Sequence, residues 1–252
     1  MAALTQVVDL LQNTLKPWAY QDYCPNGLQV EGKPDVQLIV SGVTACQALI
    51  EAAIDLKADA ILVHHGYFWK NEDPCLTGIK KKRLKALLAK DISLLAYHLP
   101  LDGHSELGNN AQLAKKLGLT ISGALFPDNP KQVGNIATFT EPVPVELFKQ
   151  RVTQVLGQPP MHIAGHGATI SKIGFCSGGA QGFIEQAVRM GCDAYLSGEI
   201  SEPTVHIARE SGVHYLAAGH HATERYGVQA VGEFVAQQLG IWHQFVDIAN
   251  PV

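Results

Sequence analysis

The feature that most restricts what this chain can fold into is an internal repeat. Gln47, Ile50, Glu51, Ala53, Asp59, Ala60 and Leu62 return as Gln181, Ile184, Glu185, Ala187, Asp193, Ala194 and Leu196 at one constant offset. A second, slightly smaller offset pairs Ala96, His98, Ala114, Leu117 and Gly118 with Ala218, His220, Ala236, Leu239 and Gly240. Self-similarity on this scale marks two copies of one supersecondary unit.

Apolar periodicity gives both copies the same order of elements. In the first, helical patterns at 4–15, 47–56, 81–90 and 111–117 alternate with short apolar runs at 37–40, 60–63 and 93–96. A shorter run, Leu28-Gln29-Val30, precedes the first proline-containing turn. In the second, a helix at 145–156 and a run at 161–164 precede strands at 172–176, 194–197 and 213–217, interleaved with helices at 183–190, 202–210 and 228–239. The runs AILV, SLLA and YLAA are nearly continuous in apolar residues, as parallel strands covered on both faces must be. The expected fold is therefore α/β, two copies of an α-β-(βα)3 unit with mostly parallel sheets, at 1–120 and 145–252. Between them, 121–144 holds Pro127, Pro130, Pro142 and Pro144 around Ile136-Ala137-Thr138-Phe139, a pattern that predicts an edge strand.

With 252 residues, 46% apolar and 17% charged, the chain can bury a substantial core. A net charge of −4 gives no basic field to hold a phosphate backbone. The one basic run, Lys80-Lys81-Lys82-Arg83, opens an amphipathic pattern and reads as a solvated helix face, so nucleic acid is not an expected partner. Cys24, Cys46, Cys75, Cys176 and Cys192 are odd in number and lack CxxC spacing, which suits a reducing compartment and neither a disulfide framework nor a zinc knuckle. The first helical pattern carries Asp9, unlike a basic, cleavable leader, and no apolar run approaches membrane-spanning length. A cytoplasmic protein without a membrane partner is expected.

In open α/β sheets ligands bind beyond the carboxyl ends of the strands, and here the polar residues gather there. The run 60–63 ends in His64-His65, and 93–96 ends in Tyr97-His98 with Asp102 beyond. In the second copy 194–197 leads to Glu199, and 213–217 leads to His220-His221 with Glu224 beyond. By the repeat offsets His98 and Asp102 correspond to His220 and Glu224, and His65 to Glu199, so each copy offers half of a composite site. If a helix begins after Gly219, His220 and Glu224 share one face and can chelate one centre. Pro100 predicts instead that a loop presents His98 and Asp102. Imidazole with carboxylate suits zinc, iron, nickel or manganese alike, and a carboxylate can bridge two ions. His64, His65, Asp102, His220 and Glu224 exceed the needs of one catalytic zinc, so the expected cofactor is two adjacent divalent ions per chain.

Other polar residues have plainer readings. A lone strand-end histidine is ordinarily capped or solvent-facing, which covers His104, His162, His166, His214 and His243. The side chains of His64 and His65 would point to opposite faces unless the strand ends there, as Gly66 allows. Cys176-Ser177-Gly178-Gly179 has the form of a phosphate-cradling turn but lacks the lysine, and reads as a tight strand-to-helix connection.

The segments HHGYFW, AYHLPLDGHSELGNN, SGEISEPTVHIARE and AAGHHATERYG together resemble the bacterial branch of the Nif-three-like family, the GTP cyclohydrolase I type 2 homologs. The similarity extends over nearly the whole chain. It implies an intertwined duplication of the α/β unit, a dinuclear metal site and a ring-shaped homohexamer. By motif position His64, His65, Asp102, His220 and Glu224 match the family's metal ligands, with Glu224 bridging. Many members read HHP where this chain has His64-His65-Gly66, a change in the turn that removes no ligand.

Two functional readings follow. The first is a metal-dependent hydrolase of a nucleotide or related heterocycle, cyclohydrolase-like by resemblance alone. In it His98, Glu199 or His206 shuttles a proton or supports a ligand, and a nucleotide or phosphorylated small molecule is the partner. The second is a non-enzymatic metal-binding or regulatory ring protein. No nucleophile elbow, Walker sequence or nicotinamide fingerprint fixes a reaction class. A purely structural zinc fits least, because such sites are closed and cysteine-rich.

Overall fold

The computed structural model describes residues 1–129 and 131–252, so Pro130 of the connecting segment lies outside the described residues. The chain divides into two compact units, each discontinuous in sequence: Met1–Gly108 with Gly227–Ala249, and Asn109–Tyr226 with Asn250–Val252. These units are not the repeats taken contiguously. The helix Asn109–Leu117, which reads with the first repeat, belongs to the second unit, and 227–249, which reads with the second repeat, belongs to the first. The two copies thus exchange segments.

In the first unit the sheet order is Trp242–Phe245, Leu38–Thr44, Ala60–His65, Ser93–Ala96, Gly27–Val30. The first four strands are parallel, and Gly27–Val30 is an antiparallel edge. Alternate residues of Ala60–His65 face two separate cores. Ile61 and Val63 pack with Leu49, Ile50, Leu84 and Leu87, while Ala60 and Leu62 pack with Val7, Leu11, Val231 and Val235. Burial on both faces is why this strand shows no polar alternation. Each large apolar side chain so buried contributes roughly 1.5–3 kcal/mol. The helix Leu4–Leu15 supplies Leu4, Val7, Leu11 and Leu15 as one buried stripe at helical spacing.

The second unit holds a six-stranded sheet in the order Ile121–Ala124, Asn135–Pro144, Thr169–Phe175, Ala194–Ser197, His214–Ala217, Met161–Ile163. Only Thr169–Phe175, Ala194–Ser197 and His214–Ala217 are mutually parallel; the flanking strands are antiparallel. One face packs Phe148, Val152 and Leu156 on Ile173, Phe175 and Leu196, and the other packs Ile184, Ala187 and Ala208 on Tyr195 and Tyr215.

The connecting segment departs from the expected single edge strand. Asn135–Pro144 is hydrogen-bonded on both sides, with Ile136 and Ala137 buried, and the true edge is Ile121–Ala124, whose residues are all exposed. A four-residue strand with no buried side chain leaves no apolar pattern to read. Among the described residues no helix is long and apolar enough to cross a membrane.

Candidate functional site

In the first unit, Ala60–His65 and Ser93–Ala96 run parallel and end at the same edge of the sheet. His64 and His65 close the former strand with ring centroids 4.5 Å apart, so the pair does not splay. A carbonyl can only accept, so the 3.0 Å contact between His64 and the Tyr97 oxygen is a bond donated by Nδ1–H. That bond directs Nε2 toward Asp102, 3.6 Å from Oδ1. His65 Nδ1 lies 3.2 Å from Thr44 Oγ1.

Asp102 is presented by a helix rather than the expected loop. Leu99–Gly103 is a single helical turn with Pro100 near its start, where the missing N–H has no intrahelical partner to lose. The Asp102 N–H donates to the His98 carbonyl at 3.1 Å. His98 precedes this helix, with its ring centroid 5.0 Å from that of His64 and 5.8 Å from that of His65. Ligand atoms of His64, His65 and His98 all lie within 4.8 Å of one another.

In the second unit the strand His214–Ala217 leads through Gly219, at φ +98°, into the helix His220–Leu239. His220 and Glu224 stand one turn apart, as the spacing predicts, with His220 Nε2 3.2 Å from Glu224 Oε2. His220 Nδ1–H donates to Glu199 Oε1 at 2.7 Å. Burial pulls the His220 imidazole down, but hydrogen bonds and charge from Glu224, then Glu199, outweigh it and push its pKa up to about 9. A cation binding at His220 must therefore displace a proton.

Gly178 is what lets the backbone meet this pair. It sits at φ +65°, and a Cβ there would overlap Glu224 Oε1 and lie 3.2 Å from His220 Nε2. Its N–H donates to Thr223 Oγ1 at 3.0 Å. The glycine turn thus fits against the carboxylate. Glu199 also borders a cavity of about 420 Å³ lined by Gln158, Met161, Ile200, Ala217 and Gly219 among others.

His206 stands apart from these groups. It is exposed on the helix Glu202–Ser211, and its Nε2 lies 2.9 Å from Glu202 Oε1 of the same helix. His104, His162, His166, His214 and His243 serve local contacts: His104 Nδ1 accepts from the Leu107 N–H, His162 Nε2 lies 3.1 Å from His214 Nδ1, His214 donates to the His166 carbonyl, and His243 Nε2 lies 2.7 Å from Ser41 Oγ. Two residues that the sequence did not single out belong to the first group. Asp22 Oδ1 accepts from His98 Nδ1–H at 2.7 Å, and Asn26 Oδ1 accepts the His98 N–H at 2.7 Å.

The donors fit a divalent metal by their chemistry. His64, His98 and His220 are each anchored through Nδ1 on an oxygen, the arrangement that fixes imidazole Nε2 for ligation. Asp102 and Glu224, 6% and 3% exposed, are carboxylates whose burial is costly without a cation or proton nearby. Each unit, taken alone, sets an anchored imidazole beside such a carboxylate.

The sequence profile of DUF34/NIF3 (NGG1p interacting factor 3) matches residues 2–251. A Pseudomonas aeruginosa protein named GTP cyclohydrolase 1 type 2 homolog is 54% identical over 249 residues, which cover 99% of this chain and 98% of that one. A Vibrio cholerae protein of the same name is 53% identical over 249 residues, 98% of each chain. Among solved structures, the protein ybgI matches with a TM-score of 0.95 at 47% identity over 100% of both chains. TTHA1606 from Thermus thermophilus matches with a TM-score of 0.91 at 30% identity, again over 100% of both. With the profile matched almost end to end and relatives at half identity spanned in full, this chain belongs to the DUF34/NIF3 family.

Proposed function

We propose that His64, His65, Asp102, His220 and Glu224 together hold two divalent ions and that the protein is a metal-dependent hydrolase of a nucleotide or related heterocycle. The observation that carries this reading is the pairing found in each unit separately, His64 with Asp102 at 3.6 Å and His220 with Glu224 at 3.2 Å, both imidazoles anchored through Nδ1. The name shared by the bacterial relatives, GTP cyclohydrolase 1 type 2 homolog, supports the substrate class.

Bound divalent ions supply Lewis acidity toward the attacked centre and offset negative charge that develops on it. Glu224, the buried carboxylate of the His220 pair, would help hold the ions and supply negative charge to offset theirs. Glu199 acts through His220, holding its ring by the Nδ1 bond. His98 accepts a proton beside the His64 and His65 rings. His206, exposed and bonded to its own helix, takes no part. The donor set accepts zinc, iron, nickel or manganese, the family resemblance supports a homohexameric assembly, and five cysteines without disulfide-framework spacing support a cytoplasmic setting.

Elemental analysis of protein purified without added metal, followed by a nucleotide and phosphoester screen on the same preparation, tests the reading. Two equivalents of metal per chain and turnover lost with the metal are expected. Metal-loaded protein inert toward every nucleotide would favour a binding or regulatory role. Sedimentation equilibrium tests the assembly, and a concentration-independent monomer would overturn it.

A further inference from the structure

Gly27–Val30 runs antiparallel to Ser93–Ala96, with Gly27 opposite Ala96. Residues just before Gly27 therefore lie where the neighbouring strand ends, and this brings Asp22 to His98. The Asp22 side chain is 4% exposed. A carboxylate offers about four acceptor positions, and Asp22 uses that many. Oδ1 accepts from His98 Nδ1–H at 2.7 Å and from the Tyr23 N–H at 2.6 Å. Oδ2 accepts from Asn26 Nδ2–H at 2.8 Å and from the Leu99 N–H at 2.9 Å. Burial alone would raise the Asp22 pKa, but the bonds from His98, Asn26 and Tyr23 outweigh it and hold the carboxyl below its ordinary value. An ionised carboxylate only accepts, so His98 is the donor. Asn26 fixes the His98 backbone, and Trp69 packs edge-on against the ring with centroids 5.0 Å apart.

We infer that Asp22 is a positioning residue: it locks His98 in the Nδ1–H tautomer and so turns the Nε2 lone pair toward the His64 and His65 rings, as a proton acceptor for what binds there. The tautomer stands on the geometry of one unit; the acceptor role rests on the proposed function. A rival reading makes Asp22, Cys24 and His98 a further metal position, since their donor atoms lie within 4.8 Å of one another. The geometry favours positioning over ligation, because both Asp22 oxygens are already engaged, Oδ2 by the Asn26 and Leu99 N–H groups and Oδ1 by Tyr23 and His98.

Asp22 also bonds the Leu99 N–H, so loss of stability alone would not separate positioning from a structural role. The separating experiment is a long-range proton–nitrogen correlation of the imidazoles in full-length, nitrogen-15-labelled, metal-free protein, with His98→Gln assigning the resonances. Wild type is expected to show His98 protonated on Nδ1 and not on Nε2. In Asp22→Asn the population should move toward Nε2–H, because an amide can accept or donate. In a parallel competition titration with zinc, Asp22→Asn should change affinity by less than about tenfold, below the range for losing a partner of a ligating histidine. His98 in the Nε2–H form in wild type, or an unchanged tautomer in Asp22→Asn, overturns the inference. If Asp22→Asn does not fold, the wild-type spectrum decides by itself. A wild type that shows the Nδ1–H form yet binds no zinc would sink the proposed function while supporting the assignment of the tautomer.

Discussion

His98 and His220 are equivalents in the two repeats, and each has Nδ1 on a carboxylate at 2.7 Å and an acidic residue four positions on. Their corners nevertheless differ. The acid after His98, Asp102, meets another histidine, His64 at 3.6 Å, whereas the acid after His220, Glu224, returns to His220 itself at 3.2 Å. The sheet register gives the reason. Ala96 lies opposite Val63, while Ala217 lies opposite Ser197, so Ala217 rather than Ala218 is the structural counterpart of Ala96. The second corner therefore has one residue more before its histidine. Gly219, at φ +98°, takes up that residue, and His220 opens a helix of 20 residues instead of preceding a helix of 5. Equal spacing does not fix equal contacts; one inserted glycine separates a histidine paired with its own acid from one whose acid meets a different histidine.

The largest effect should come from the second corner's carboxylate. Glu224→Gln keeps the shape and removes the charge facing His220, so zinc affinity should fall by more than about 100-fold, beyond the loss expected for an outer partner. Competition titration against a chelator measures it, and a drop no larger than that of Asp22→Asn would equalise the two corners. Gly178→Ala tests the same place from the backbone. It adds a Cβ into Glu224 at a positive φ, costing about 1–3 kcal/mol, and each kcal/mol lowers Tm by roughly 2–4 °C in a chain of this size. Gly179→Ala is the control, since its added Cβ would meet nothing nearer than 3.6 Å.

Acid and base should act on His220 in opposite directions in the metal-free and metal-loaded proteins. The His220 pKa rises from 6.5 to about 9 on folding, so the protonated ring stabilises the metal-free fold. That contribution is fully present below about 6.5 and is lost as pH rises through about 9. Metal-free protein should thus melt at lower temperature as pH climbs across this window, and His220→Asn should flatten the slope. Metal binding shows the reverse trend, weakening toward acid, because a protonated imidazole cannot donate to a cation. Thermal melts with and without zinc across the window check both signs.

Much of this architecture is written in local pattern. The buried strand Ala60–His65 and the stripe Leu4, Val7, Leu11 and Leu15 follow from apolar periodicity, and the gathering of histidines and acids at or just past strand ends is legible from the strand pattern. What escaped depends on pairing or on shape. Asp22 lies 76 residues from His98, and only the antiparallel edge strand brings them together. Pro100 misleads because a proline is forbidden inside a helix yet tolerated in its first turn. Gly178 looks like any turn glycine until the Glu224 carboxylate packed against it is known. The repeat equivalence slips by one residue because identity aligns His98 with His220 across Gly219, where the hydrogen-bonded register does not.

The smallest expected effect on metal is the sharpest test of the comparison. His98→Ala removes the first corner's histidine, whose Nδ1 is held by Asp22 and whose ring centroid is 5.0 Å from that of His64. In the proposed reading the first corner ligates through His64, His65 and Asp102, so zinc affinity in His98→Ala should stay within about tenfold of wild type. Turnover should behave differently. A positioned proton acceptor contributes about 100-fold to 10,000-fold, and loss of that order is expected with zinc still bound. Metal content and turnover measured on one preparation, with whichever nucleotide the screen identifies, separate the two effects. If His98→Ala empties the protein of zinc as fully as Glu224→Gln, the corners are symmetric after all: His98 is a ligand like its repeat partner, and the residue inserted at Gly219 altered the path of the chain without altering the job of the histidine.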